Sequence, residues 1–154
     1  MPFRDNIIRV QAPAHKTERS LKFCIDFLLP VGTPVVAACS GTVIACQDRY
    51  KRSYKDPKFA VRRNFVVINH NNGESSVYVH LRYRSIRVKK GQKVKQGQVI
   101  ALSGRVGFAT YPHLHFGVYR GEYQKGGVSV QIAFNKEIGP ERPLHLAEAL
   151  GKYL

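Results

Sequence analysis

A compact, antiparallel all-β fold follows from three features of this 154-residue sequence: its apolar runs are short, several alternate at a period of two, and Gly-rich turns separate them. The first clear run, "FCIDFLL" (23–29), stops at Pro30, and "TPVVAAC" and "TVIAC" then flank Ser40 and Gly41. After a long basic loop come "NFVVINH" (64–70) and "SSVYVHL" (75–81), joined through Asn72-Gly73, a pair that tolerates positive φ and so marks a hairpin. "QVIALSG" (98–104) and "LHFGVYR" (114–120) complete the set. Helical periodicity is absent before residue 140, and only the tail "PLHLAEALGKYL" reads as a short C-terminal helix. A faint internal echo links Gly32, Val35, Gly41 and "VIA" (43–45) with Gly91, Val94, Gly97 and "VIA" (99–101). Two similar hairpins folded over each other would give a β-sandwich with one shared core.

The length suits a single domain spanning 1–154, able to bury about two-thirds of its unfolded surface without staples. At 44% hydrophobic and 23% charged residues, the composition is that of an ordinary globular protein and excludes a disordered one. No apolar run is long enough to span a bilayer, and the N-terminus lacks the apolar stretch of a signal peptide. Cys24, Cys39 and Cys46 read as buried small hydrophobes, with a Cys39–Cys46 bridge left open. Twenty-five Lys and Arg against 10 Asp and Glu give a net charge of +15, a surface that attracts polyanions such as nucleic acid, anionic lipid or acidic wall polymer. The charge is concentrated in 49–63 and 82–95.

The chemistry-bearing residues are histidines. In "TYPHLHFGVY", His113 and His115 share one strand face, about 7 Å apart along the backbone, while Leu114 and Phe116 face the core. Two imidazoles so placed can converge on one metal, or one can ligate while the other reaches substrate. In "SSVYVHL" the reading puts Val77, Val79 and Leu81 on the core face and Ser76, Tyr78 and His80 on a polar one. His70 and His145 read as structural or surface residues. Asp26 lies between Ile25 and Phe27 in the most apolar run, where an unpartnered carboxylate would cost several kcal/mol. It needs a cation, either a Lys or Arg, with Lys22 nearby, or a metal; zinc takes carboxylate and imidazole together.

The strings "IDFLLPVGTPVVAACSGTV", "NFVVINHNNG", "VYVHL" and "VKKGQKVKQGQVIALSGRVGFATYPHLHF" resemble, in order, the lysostaphin and LytM type of peptidoglycan metalloendopeptidase. The resemblance runs from about 13 to 120, making that stretch the core and 121–154 a C-terminal extension, and it implies a small antiparallel β fold with one zinc in a groove. It places Asp26 and His115 on the metal and makes His80 and His113 the catalytic pair. The family's first zinc histidine often stands four residues before the Asp, where this chain has Lys22; His15 is then the only upstream candidate for the third ligand. Arg63 and Tyr111 replace glycines common in the family. The resemblance further implies zinc-assisted peptide hydrolysis, cell-wall peptides as substrate, a periplasmic or extracellular site of action, and a monomer. Three rival readings stand beside it: a zinc-free relative that binds cell wall or activates another hydrolase, a biotinyl-type carrier suggested by "VKKGQKVKQGQVIA", and a nucleic-acid binder using the basic stretches with Tyr50, Tyr54 and Tyr83.

Overall fold

The structure is a computed structural model that describes residues 8–10, 20–123 and 125–132. His15, His145 and the tail expected to be helical lie outside these residues. The strands are β1 (Ile8–Val10), β2 (Ile25–Leu28), β3 (Pro34–Val36), β4 (Gly41–Gln47), β5 (Ser53–Tyr54), β6 (Phe65–Asn69), β7 (Glu74–Val79), β8 (Lys93–Val94), β9 (Val99–Leu102), β10 (Gly107–Phe108), β11 (His113–Arg120) and β12 (Val128–Ser129). A 3-10 turn, Pro57–Phe59, interrupts the basic loop and is capped by the Asp56 carboxylate, which accepts from the Lys58 amide.

The main sheet runs β1-β2-β11-β7-β6-β4-β8, with β12 pairing the far end of β11. Every pairing in it is antiparallel. The expected hairpin joins β6 to β7, but its positive φ angles fall on Asn71 (59°) and Gly73 (83°) rather than on Asn72 and Gly73. Asn72 instead uses its side chain, accepting the Glu74 amide across the turn.

The two echoing segments exchange strands. β3 pairs β9 as a separate two-stranded sheet, and β4 pairs β8 within the main sheet, so the first strand of each half lies against the second strand of the other. Within the second segment two successive turns match in detail: the Lys89 amide donates to the Gln92 side chain and the Lys95 amide to the Gln98 side chain, each at 3.1 Å. The glycines between them, Gly91 and Gly97, both take positive φ.

The core lies between the main sheet and the β3/β9 pair. Phe27, Ile68, Tyr78, Leu114 and Phe116 enter from the sheet; Val35, Ala37, Ile100 and Ala101 enter from the other side. Fully burying each of the larger side chains contributes about 1.5–3 kcal/mol. The opposite face of the sheet holds a smaller cluster of Cys24, Val67, Val77, Val79 and Tyr119. The assignment of Val77 and Val79 to the main core, with Ser76 and Tyr78 on a polar face, is therefore reversed. Tyr78 is wholly buried in the main core, where its hydroxyl accepts from the Ala38 amide and from Ser76. That satisfied hydroxyl is why a tyrosine can occupy a dry core. Alternation shows that two faces exist; it does not show which one is more deeply covered.

The cysteines divide three ways. Cys24 is buried, Cys46 packs against the core edge, and Cys39 is exposed, contrary to the expectation for it. All are free thiols.

Candidate active site

β11 brings the site together because it is flanked by β2 on one side and β7 on the other. Its register sets His115 opposite Asp26 on β2 and opposite Val79 on β7, while His113 faces Leu28. Cross-strand partners point to the same face, so Asp26, His113 and His115 stand on the face of the smaller cluster, away from the main core. All three are nearly out of solvent, at 3%, 6% and 8% exposure. A carboxylate that deep requires a donor, and His115 provides one: its Nδ1 lies 2.9 Å from Asp26 Oδ1. His113 Nε2 stands 3.9 Å from the same oxygen.

His80 reaches the group by breaking the strand. Ideal alternation would send it to the face opposite Val79, but its φ is +66°, a left-handed conformation rare for a non-Gly residue. The ring centroid consequently lies 4.5 Å from that of His113 and 6.3 Å from that of His115. Leu81 turns into the main core. Gly104 permits this: a Cβ there would come within 2.7 Å of the His80 carbonyl oxygen and the Arg82 amide nitrogen, so only glycine lets the 103–107 segment press so closely. The same segment delivers the Val106 carbonyl oxygen 2.8 Å from His80 Nδ1.

A carbonyl oxygen can only accept, so the proton of His80 sits on Nδ1. His113 repeats the arrangement, with Nδ1 2.9 Å from the Tyr111 carbonyl oxygen. In both neutral rings Nε2 is the bare lone pair, and no hydrogen bond engages it among the described residues. Burial, reinforced by the nearby His113 and His115 rings, pushes the pKa of His80 well below 6.5. Burial also lowers His113, against the opposing pull of Asp26 and the Tyr111 carbonyl. For His115 burial acts in the same downward sense, but the hydrogen bonds to Asp26 and Cys24 outweigh it and raise the pKa to about 10. The one buried negative charge thus favours the imidazolium of His115, and His80 and His113 stay neutral near pH 7.

Asp26 Oδ1 and His115 Nδ1 are a carboxylate and an imidazole donor turned toward each other, the donor types that zinc accepts. They fit a zinc ion as two of its ligands. Among the described residues no group of three or more His, Cys, Asp or Glu side chains forms a metal-binding set, and His15, the third ligand expected from the sequence, lies outside them.

Several supporting residues had no signal in the sequence pattern. Asn64 is fully buried; its side chain accepts from the Tyr50 amide and donates to the carbonyls of Tyr50 and Leu81, tying the basic loop to the residue after His80. Cys24 reads as a mere hydrophobe, yet its Sγ lies 3.1 Å from the Tyr119 hydroxyl and hydrogen-bonds His115. It fits there because Gly117 lacks a Cβ, which would sit 2.6 Å from that sulfur. Tyr111, one of the departures noted from sequence, packs its ring 4.8 Å from His113.

The profile of Peptidase family M23 matches residues 21–130. The peptidoglycan DD-endopeptidase ShyA of Vibrio cholerae is 42% identical over 91 residues, 59% of this chain and only 18% of ShyA itself. Among solved structures, the catalytic domain of the prophage-encoded M23 protein EnpA from Enterococcus faecalis superposes with a TM-score of 0.61 at 26% identity, covering 84% of this chain and 91% of that one. A zinc-containing peptidase from Vibrio cholerae does so with a TM-score of 0.52 at 39% identity, covering 71% of this chain and 29% of that one. The chain therefore spans less than a fifth of the length of a curated relative such as ShyA. On the strength of that match, covering more than half its length, this chain belongs to Peptidase family M23.

Proposed function

We propose that the chain is a zinc-dependent endopeptidase that hydrolyses peptide bonds in the stem peptides or cross-bridges of bacterial peptidoglycan, acting in the periplasm or at the cell wall. The observation that supports this most directly is the convergence of three strands on one face: β2 contributes Asp26, β11 contributes His113 and His115, and the end of β7 contributes His80. The relative named above as a peptidoglycan DD-endopeptidase and the solved zinc-containing peptidase point the same way. The charge of +15 suits a wall rich in carboxylate and phosphate.

Asp26 and His115 would hold the metal, with His15 as the proposed third ligand. When bound, zinc polarises the scissile carbonyl and makes water more acidic. The chain's own residues handle the proton. His113, neutral with a bare Nε2, is the better acceptor, because Asp26 lies 3.9 Å from that nitrogen and stabilises the imidazolium that forms. It can return the same proton to the leaving amine. His80, harder to protonate, keeps a bare Nε2 beside His113 and acts as a second acceptor that orients the attacking water by taking a hydrogen bond from it.

Zinc content of the purified chain, measured alongside digestion of isolated sacculi, tests the reading. About one zinc per chain and soluble muropeptide release are expected; His115→Ala should lose both. A zinc-free chain that binds sacculi without cutting them would favour the scaffold reading instead.

A further inference from the structure

Beside the histidines lies an open depression of about 380 Å³, lined by Val31, Lys51, Ser53, Arg82, Arg105 and Val106 together with Tyr83 and Gly104. Three of its side chains are cationic and none is acidic. Among the described residues no ion pair neutralises Lys51, Arg82 or Arg105. Two of the three are nonetheless held in place. Arg105 donates through Nε and one Nη to Ser53 Oγ, at 3.2 and 3.1 Å. Lys51 Nζ sits over the Tyr83 ring, 4.6 Å from its centroid. The parallel β5/β10 pairing, Ser53 against Gly107, fixes the wall that carries Ser53 and Arg105.

This depression adjoins the catalytic cluster through shared backbone. Val106 lines it with the same residue whose carbonyl orients His80, Gly104 presses on the His80 backbone, and Arg82 follows His80 by two residues. An extended peptide advances about 3.3 Å per residue. These cations thus lie within the neighbourhood that groups flanking a scissile amide at His80 and His113 would enter.

We propose that the depression is a specificity subsite for a free carboxylate carried by the peptide substrate next to the scissile bond. Two guanidinium groups and an ammonium offer directional donors that match a carboxylate, whereas a neutral, unsubstituted cross-bridge gives them nothing to bind. The inference rests on the endopeptidase reading and narrows it to acid-bearing cross-links.

The test uses two cross-linked peptides that are identical except that a carboxylate flanking the scissile amide is free in one and a carboxamide in the other. With zinc-loaded protein, kcat/KM for the acid should exceed that for the amide by about tenfold, the worth of a charge-assisted contact, mostly through KM. In Arg82→Gln and Arg105→Gln that ratio should fall toward one, and added salt should erode it in the parent protein. A ratio near one in the parent, or one unchanged in both variants, overturns the inference. If neither peptide is cut, the endopeptidase reading fails, and equilibrium binding of the same two peptides decides the subsite alone. Tighter binding of the acid that is lost in the variants upholds it; equal binding overturns it.

Discussion

The two faces of β11 are built from the same eight residues and do opposite things with polarity. Leu114 and Phe116 point into a core in which the single prominent polar group, the Tyr78 hydroxyl, is bonded to both Ala38 and Ser76. His113 and His115 point to the other face, where the Nε2 atoms of His113 and of the neighbouring His80 stay outside any hydrogen bond among the described residues. One face spends every hydrogen-bonding group on stability. The other holds back lone pairs for chemistry, and neutral imidazole survives there because burial disfavours its charged form.

If that division is right, substitutions on the two faces of one strand should separate activity from stability. The largest expected effect is His113→Ala, which should lower kcat by about 10²–10⁴-fold while leaving bound zinc and the unfolding midpoint near those of the parent. Loss of zinc along with activity would place His113 among the ligands instead. The same face predicts the pH profile. As pH falls, His80 and His113 lose activity only when protonated, and burial holds both below 6.5. The acid limb of kcat/KM should therefore lie below pH 6.5; a limb centred above it contradicts the neutral-ring assignment.

Three residues along the strand the balance should invert. Phe116 is 1% exposed and packs with Phe27 and Tyr78 at centroid distances of 6.1 and 5.2 Å. Phe116→Ala should destabilise the fold by about 3–5 kcal/mol in denaturant titration. At temperatures where the variant stays folded, kcat should change little.

Tyr78→Phe gives a smaller and sharper comparison, since it removes only an oxygen from the core. The Ala38 amide and the Ser76 hydroxyl lose their acceptor, a cost of about 1–3 kcal/mol by the same titration. A neutral result would show that water or Ser76 rearrangement restores the bonds, and that the core face is less completely satisfied than its geometry indicates.

How much of this was legible in the sequence depends on whether the information is local. Strand existence was, because period-two apolar runs and Gly turns are local signals: each of the runs around 23–29, 64–70, 75–81, 98–104 and 114–120 contains a strand. The facing of His113 with His115, and of Leu114 with Phe116, was legible for the same reason. The meaning of the β7 alternation was not, because burial of Tyr78 depends on the β3/β9 pair lying over it, a contact fixed by strands far away in the chain. Nor was the route of His80 into the site, since it needs a positive φ that no residue type at that position announces and a Gly104 more than twenty residues distant. The rings' tautomers depend on the carbonyls of Val106 and Tyr111, and backbone acceptors leave no trace in side-chain identity.

The smallest predicted effect comes from the far end of the same strand. Arg120 and Glu74 meet at 2.9 Å, the separation also found between His115 and Asp26, but the Arg120 side chain is 70% exposed whereas that of Asp26 is 4% exposed. Distance alone would rank the two contacts as equals. Solvent does not: water and salt screen the outer pair and already solvate its separated charges, so Arg120→Ala should shift stability by only about 0.2–1 kcal/mol, and by less as ionic strength rises. Removing His115 instead takes a 2.9 Å hydrogen bond from a carboxylate that is 4% exposed, which makes that loss the costlier one in metal-free protein. Equal destabilisation by Arg120→Ala and His115→Ala, measured without metal at low salt, would mean that the Asp26 pocket admits water freely and that its burial does not set the charge states of the site.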